Sequence, residues 1–392
     1  MFKEPCLHKI ICAFAFASFV SIAAGNIFLA LMTLLFFILA AKKAISFGGY
    51  YKNYLLVYAL FILTMLLSAV FSGDPARGLK VWANAWIWRF MPFLIIIFCV
   101  HSAAAAKKIL VYSAAGMAIG IFCLIYQGIS GDGRAAGFFG HPMTFAGYLC
   151  IYLPVFLVGF FEKEIFGRWN WLSGAVFICG CAALLFNGTR GAWLALAPVI
   201  LLLAIYYMLK NKRFMITGLI FLLALSAGLS QSEQFVYRIN TITDSKYQSN
   251  TERLLIWNSA FNMFKDNPVL GVGLGQYTYN YQHKYISPEA KEPKLGHAHN
   301  NFMQMLAENG IIGFLSFTVL FGYLILSNIK RFLRNRSPYA LIISASAAAL
   351  LLQGLTEYNF GNSAVVKCFW LVIGCLAVLD NYFAKEENKN CL

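Results

Sequence analysis

The chain has 392 residues, of which 60% are hydrophobic and only 12% are charged. Its apolar residues come in long blocks separated by short clusters of Lys, Arg and Gly. This pattern excludes a soluble globular protein and predicts an all-α polytopic membrane protein. The formal net charge of +15 is concentrated in short loops, as expected for a membrane protein, so it does not indicate a nucleic-acid partner.

Apolar runs of spanning length predict about twelve transmembrane helices. The first run follows Lys3 and Lys9 and resembles a signal peptide, but residues 23–26 lead directly into a second run, which favours a retained span. The predicted spans are 10–25, 26–41, 54–72, 81–103, 109–128, 143–161, 171–187, 191–209, 214–231, 310–328, 338–356 and 364–380.

Basic residues recur after every second predicted span, which places those loops and both termini in the cytoplasm. The clusters are Lys42, Lys43 and Lys52; Lys107 and Lys108; Lys163 and Arg168; Lys210, Lys212 and Arg213; and Lys330, Arg331, Arg334 and Arg336. All ten cysteines lie in predicted spans or cytoplasmic tails, so we expect no disulfides.

One long polar segment, 232–309, interrupts the spans and lies on the outer face by the same rule. It separates helices 1–9 (residues 1–231) from helices 10–12 and a cytoplasmic tail (310–392). Within it, residues 251–265 predict an amphipathic helix on the bilayer surface, with its N-cap at Asn250 or Thr251 and its end at Asn267-Pro268. The glycine-rich run 271–275 lacks the spacing and preceding strand of a nucleotide loop, which favours a tight turn.

Uncommon polar residues collect on the predicted outer face, where the positive-inside rule leaves cations scarce. They are Arg77, Lys80, Arg134, His141, Arg190, Arg253 and His299. An anionic ligand at the outer membrane surface is the simplest reason for this concentration.

Each of these cations also has a structural explanation. Arg190, in Thr189-Arg190-Gly191, is either a guanidinium fork on phosphate oxygens or an arginine snorkelling to headgroups. Arg253 is either a second clamp on a diphosphate or a solvated charge. Arg77 and Lys80 are typical of nonspecific lipid-headgroup contacts, and Arg134 and His141 are similarly ambiguous. Arg89 and Lys367 lie inside spans near their outer ends, where pairing with a carboxylate such as Glu357 would be structural.

His297 and His299 stand directly before a membrane-length apolar segment. Asn300 and Asn301 are natural N-caps for a helix starting at Phe302, which puts the His299 ring near a positive helix end and favours a neutral general base. Three other interpretations stay open: His299 only caps or hydrogen-bonds, His297 is the base, or the pair binds metal. No sequence cluster of Asp, Glu or Cys completes a metal site.

These residues make the chain similar to the bacterial O-antigen ligase superfamily, which also contains O-antigen polymerases and protein O-oligosaccharyltransferases. The family pattern of His, then Asn, Ser or Gln, nine residues, Gly, two residues and Gly is met by His299, Asn300, Gly310 and Gly313. Other matches are Arg253 followed by Trp257, Thr189-Arg190-Gly191 at a helix junction, the glycine run after Asn267-Pro268, and Lys80 at the outer end of an early span. The first hundred residues resemble the family in hydropathy.

The resemblance implies an inverting, metal-independent glycosyltransferase without a cofactor, in the bacterial inner membrane. It implies transfer of a glycan from undecaprenyl diphosphate to lipid A-core on the periplasmic leaflet, with His299 as base and Arg190 and Arg253 on the departing diphosphate. Lys80, Arg77, Arg134, His141, His297 and Asn300 would bind substrate. Membrane lipids are the remaining partners.

Two other classes of function stay open at the level of sequence. A polymerase or a protein-glycosylating transferase of the same superfamily would share the donor and the topology. A polysaccharide or lipid transporter would also have about twelve helices. The chain shows no matching Gly- or Pro-broken spans in its two halves, and its polar residues crowd one face instead of the bilayer midplane, which disfavours a transporter.

Overall fold

The computed structural model describes residues 4–42, 49–131, 134–210, 236–237, 240–241 and 247–390, and these residues form helices and turns without a strand. The α-helices are α1 (Glu4–Ala17), α2 (Ile22–Ala41), α3 (Lys52–Val70), α4 (Pro75–Val81), α5 (Trp88–Cys99), α6 (Ala103–Ser130), α7 (Pro142–Phe161), α8 (Lys163–Phe166), α9 (Asn170–Asn187), α10 (Arg190–Lys210), α11 (Gln248–Asp266), α12 (Tyr277–Asn280), α13 (Asn301–Asn335), α14 (Pro338–Gln353) and α15 (Ser363–Asn390). Two π-helical turns, Trp82–Ile87 and Tyr281–Tyr285, follow α4 and α12.

Nine helical segments of the described chain are long and apolar enough to cross a membrane, which confirms a polytopic helical membrane protein. They are Ile22–Ala41, Gly49–Val70, Pro75–Cys99, Ala103–Ser130, Pro142–Phe161, Lys163–Asn187, Arg190–Lys210, Asn301–Asn335 and Ser363–Glu387. Cys6–Ala17 and Pro338–Gln353 are shorter apolar helices. The predicted span 214–231 lies outside the described residues, so the count of twelve stays a prediction.

The predicted break between the first two spans is wrong by several residues. We expected it at residues 23–26, but the chain turns earlier, between Ala17 and Ile22. The reason is local: the Ser21 hydroxyl accepts a hydrogen bond from the backbone N–H of Ala24 and caps α2.

Helices α7 and α15 form the centre of the bundle, since 89% of the residues in the most apolar 18-residue stretch of each are buried. By contrast, only 22% of the residues in the corresponding stretch of α2 are buried. Around α15, the rings of Tyr58 and Phe90 stack with centroids 3.5 Å apart, and Trp370 meets Phe90 edge-on at 4.7 Å. This aromatic core makes a rigid support for the loops above it.

The glycine-rich run is a tight turn, as predicted, and it packs directly on a kink in α13. Gly310 has a φ of 60°, and the lost helical bonds are replaced by bonds to the turn, such as Val272 N–H to Ala307 O at 2.8 Å. A Cβ atom on Gly310 would lie 2.3 Å from the Val269 carbonyl oxygen, and one on Gly271 would lie 2.4 Å from the Glu308 carbonyl carbon. Only glycine permits this approach at either position.

The amphipathic helix α11 begins earlier than predicted. Its N-cap is Tyr247, so the expected cap at Asn250 or Thr251 is wrong, whereas its end at Asn267 is confirmed. Its buried side, which includes Ile256, packs against α13 and the stacked rings of α12 and the following turn. Leu254 on another side is exposed, and contact of that side with the bilayer stays a prediction.

Candidate functional site

Three arginines from separate parts of the chain line one cavity of 230 Å³ at the end of the bundle where α13 and α15 begin. Arg134 precedes α7, Arg190 begins α10 and Arg253 lies in α11. Glu357, in the connection between α14 and α15, is the one carboxylate among the lining residues that the structure describes. Among the described lining residues, three guanidinium groups and one carboxylate form a composition that suits an anionic ligand.

A tight helix junction brings Arg190 to this cavity. Gly188 ends α9 with a φ of 64°, a left-handed conformation that favours glycine. A Cβ atom on Gly191 would lie 1.9 Å from the Thr356 hydroxyl oxygen, so this glycine allows α10 to contact the connection that carries Glu357. The sequence Asn187-Gly-Thr-Arg-Gly therefore places Arg190 and Glu357 on one cavity.

The guanidinium of Arg190 is held in a fixed orientation. Its Nη1 donates to the carbonyl oxygen of Thr241 at 2.5 Å and its Nη2 donates to Oδ1 of Asn250 at 3.2 Å. The guanidinium carbon, Cζ, lies 4.8 Å from the centroid of the Tyr247 ring, a cation–π contact. Asn250, predicted as an N-cap, therefore positions an arginine instead.

Arg134 is tied to the same junction. Its Nη2 donates to the Thr189 hydroxyl at 2.7 Å, and its Nε donates to the carbonyl oxygen of Asn187 at 3.1 Å. The Asn187 side chain is fully buried and donates to the carbonyl oxygens of Ala135 and Pro142. This buried amide joins the Arg134 loop to the start of α10, so the two arginines form one rigid unit.

His299 and Glu357 form an ion-pair-type contact at the cavity. The Nδ1 atom of His299 lies 3.3 Å from Oε1 of Glu357. When Glu357 is ionised, Nδ1 carries the proton, which leaves Nε2 with a free lone pair as a base. His299 also has a φ of 47°, an uncommon conformation for a residue other than glycine, and such backbone positions concentrate at functional sites.

For Glu357 the sequence predicted the wrong partner. We expected it to pair with Arg89 or Lys367, but it is buried against His299. Burial alone would raise the pKa of Glu357, but the hydrogen bond to His299 and the nearby charge of Arg253 outweigh burial and hold that pKa below its usual value. The carboxylate is therefore ionised at neutral pH and orients the His299 ring.

The two histidines have different environments. The backbone N–H of His299 donates to Nδ1 of His297 at 3.2 Å, so this nitrogen is unprotonated and the ring carries its proton on Nε2. Burial and the neighbouring His299 lower the pKa of His297 to about 4. The ring lies 4.2 Å from that of His299 and 5.6 Å from that of Tyr358. His297 therefore acts as a neutral support for the backbone of His299.

The expectation that no carboxylate completes a metal site beside the histidines is wrong. One ligand atom each of His297, His299 and Glu357 lie within 4.8 Å of one another, a set that could hold a metal ion. Both Nδ1 atoms, however, are used in the hydrogen bonds described above. A metal would have to bind through Nε2 or replace those bonds, so the arrangement fits an oriented base better.

Buried amides anchor this region to the bundle. Asn300 caps α13, as predicted, since its Oδ1 accepts from the N–H groups of Phe302 and Met303. The helix begins at Asn301, one residue before the predicted start, and Asn301 has another role. Its amide donates to Oδ1 of Asn359 at 2.7 Å and accepts from the backbone of Phe360. This network fixes the beginning of α13 against the connection that carries Glu357.

The other predicted site residues lie outside the arginine cavity. Arg77 and Lys80 are exposed on α4, which approaches the glycine-rich turn. His141 is exposed at the N-cap of α7, and its charge acts on His297. The structure therefore brings Arg134, Arg190, Arg253 and His299 together and leaves these three at the periphery.

Two comparisons with known proteins bear on this site. Residues 175–318 match a protein-family model described as O-Antigen ligase, a segment that contains Arg190, Arg253 and His299. An uncharacterized protein of Haemophilus influenzae is 23% identical over 334 residues, which are 80% of this chain and 81% of that relative. The matched segment carries two of the three cavity arginines, Arg190 and Arg253, and the histidine bonded to Glu357, so over these residues the chain is similar to the O-antigen ligase family.

Proposed function

We propose that the protein is an O-antigen ligase: an inverting, metal-independent glycosyltransferase at the periplasmic face of the inner membrane. It moves a glycan from undecaprenyl diphosphate to a sugar hydroxyl of lipid A-core. The observation that carries this proposal is the position of the His299–Glu357 pair at a cavity lined by Arg134, Arg190 and Arg253. A base beside an anion site is what transfer from a lipid diphosphate needs.

The proposed reaction is a single displacement. Nε2 of His299 takes the proton of the acceptor hydroxyl while its oxygen attacks the anomeric carbon of the donor sugar. The bond from that carbon to the diphosphate oxygen breaks, and its electron pair leaves with the diphosphate. Attack from the face opposite the leaving group inverts the configuration. Glu357 stabilises the imidazolium that forms, as the carboxylate of a hydrolase triad does.

The arginines stabilise the leaving group. Negative charge grows on the bridging diphosphate oxygen as the glycosidic bond breaks, and guanidinium groups stabilise it by bidentate hydrogen bonds. In the proposed mechanism Arg190 and Arg253 contact the diphosphate, and Arg134 holds the junction and adds charge. Arg77, Lys80, His141, His297 and Asn300 bind or support substrate. A diphosphate is already a good leaving group, so the reaction needs no general acid, nucleotide or cofactor.

A polymerase or a protein O-oligosaccharyltransferase of the same superfamily would use the same groups, and the three differ in the acceptor. In a deletion strain, unattached long polymer on the carrier lipid is expected for a ligase. Single repeats attached to the core would instead identify a polymerase. A change in the mass of a pilin or another periplasmic protein would identify a protein-glycosylating transferase.

The direct test is transfer by the purified protein with lipid-linked glycan and lipid A-core, without nucleotide or ion gradient and with a chelator. His299→Ala should lower the rate about 10²-fold or more, because general-base catalysis contributes typically that much. His283→Ala is the matched control, since His283 is exposed and hydrogen-bonds only a carbonyl oxygen of its own turn. Undiminished transfer by His299→Ala would exclude the mechanism, and transfer that requires a gradient would indicate a transporter.

A further inference from the structure

Two cations inside the bundle have no carboxylate partner among the residues that the structure describes. Arg89 and Lys367 lie in membrane-length helical segments, and Lys367 is only 6% exposed. Neither belongs to the four ion pairs found among the described residues. Charged groups at membrane depth are costly and normally pair with an opposite charge.

The polar contacts that these side chains make are neutral. Nη1 of Arg89 donates to the carbonyl oxygen of Gly361 at 2.6 Å, while its Nε is buried without a partner in the described chain. Nζ of Lys367 donates to Oδ1 of Asn26 at 2.5 Å. Arg89 is close enough to Lys367 for their charges to repel each other. An anion between them would relieve this repulsion and accept from the unused Nε–H.

The partner of Lys367, Asn26, lies on an exposed side of the bundle. Asn26 is in the second turn of α2, the least buried of the nine candidate spans, and its neighbour Ile27 is 60% exposed. Lys367 lies in the second turn of α15. Both positions are about one turn from helix ends on the side of His299.

The same side of the bundle is connected to the candidate active site. Gly361 and Glu357 belong to one short connection, and the Tyr358 ring lies so close over Gly361 that a Cβ atom there would be 2.1 Å from it. On its other side Tyr358 contacts the ring of His297. Arg89 and the arginine-lined cavity therefore contact opposite ends of the 357–361 connection.

We propose that Arg89, Lys367 and Asn26 bind the phosphate group of a lipid in the leaflet next to His299. Arginine supplies a fork for two phosphate oxygens, lysine supplies a point charge, and the Asn26 amide adds a neutral donor. The phosphate belongs either to the glycolipid acceptor or to a phospholipid headgroup. Assignment to the acceptor rests on the proposed function, whereas the phosphate site itself does not.

The test is lipid binding to the purified full-length protein, measured by native mass spectrometry without donor substrate. The probes are diphosphorylated lipid A, the same lipid after enzymatic dephosphorylation, and phosphatidylglycerol. Lys367→Gln and Arg89→Gln should each weaken binding of a phosphorylated lipid about tenfold, since a charge-assisted hydrogen bond is lost. Lys330→Gln, at an exposed residue near the opposite end of α13, is the control and should bind like wild type.

The comparison of probes identifies the source of the phosphate. Loss confined to lipid A supports an acceptor site, and an equal loss for phosphatidylglycerol supports a headgroup site. Lys367→Arg keeps the charge and should retain binding, which separates a charge effect from misfolding. Equal affinity of wild type and both glutamine variants for phosphorylated lipids would overturn the proposal. Because no transfer is measured, that result would leave the proposed function untouched.

Discussion

Two clusters of half-buried arginines, at opposite ends of α13, differ in what surrounds them. At the C-terminal end, Arg331 lies 3.4 Å from Asp380, which is only 2% exposed. Tyr50 and Ser337 donate to the same carboxylate, and Arg331 donates to the hydroxyls of Tyr50 and Tyr54. Every charge in this cluster has its counterpart inside the protein.

The cluster at the N-terminal end of α13 surrounds a cavity whose described lining residues include three arginines and one carboxylate. Arg134, Arg190 and Arg253 share a cavity with a single described carboxylate, Glu357, and that carboxylate is already bonded to His299. Arginines packed around a bonded carboxylate stabilise the fold, whereas arginines that line a cavity can also contact an anion that enters it. The two clusters therefore differ in that the arginines of the second line a cavity.

The largest effect is expected at Glu357, because its carboxylate both orients the His299 ring and stabilises the positive charge that the ring acquires. Glu357→Gln should lower the transfer rate about 10³-fold, since a neutral amide neither fixes the His299 tautomer nor stabilises the imidazolium. The change should be in kcat, with KM nearly constant, in the purified transfer assay. Glu289→Gln, at an exposed carboxylate of the polar segment 232–309, is the control. A wild-type kcat for Glu357→Gln would show that Glu357 has only a structural role.

A second large effect is expected at Arg190. Arg190→Lys keeps the charge but loses the fork and the hydrogen bonds to Thr241 and Asn250, so transfer should fall about 10²-fold. The thermal unfolding midpoint should fall much less than the activity, because lysine keeps the positive charge at this position. Arg168→Lys, an exposed arginine stacked on Trp169, is the matched control. If Arg190→Lys mainly lowered the unfolding temperature, this end of the bundle would be structural too.

Part of the candidate site could be predicted from the sequence alone. Arg134, Arg190, Arg253 and His299 could be selected because polar residues are rare in such a chain and because topology collects them on one face. Glu357 could not be assigned, since it lies 58 residues after His299 and its partner depends on the connection between α14 and α15. The helix start at Gln248 was also missed, because Asn250 has the composition of a cap but bonds to Arg190 across the fold.

At the balanced cluster the expected effect is on stability instead of activity. Asp380→Asn leaves the half-buried Arg331 without its counter-charge, which should cost about 2 kcal/mol of unfolding free energy, less than for a fully buried pair. The unfolding midpoint in detergent should fall, while the transfer rate per folded molecule stays within about twofold. Asp266→Asn is the control, since Asp266 makes a largely exposed ion pair with Lys284, and it should shift the midpoint little. A selective loss of activity in Asp380→Asn would contradict the division between the two ends.

The smallest effect concerns the pH dependence of stability at the histidine pair. Because the pKa of His297 falls from about 6.5 to about 4 on folding, the unfolded chain binds this proton first as the pH is lowered. The stabilisation is complete well above pH 6.5 and decreases as the pH falls toward 4, by about 1.6 kcal/mol between pH 6.5 and 5. His297→Gln does not titrate, so its unfolding midpoint should vary less over this range than that of wild type. His141→Gln, at an exposed histidine, is the control, and its unfolding midpoint should depend on pH as that of wild type does. If His141→Gln instead removed the pH dependence, the titrating group would be His141 and not His297.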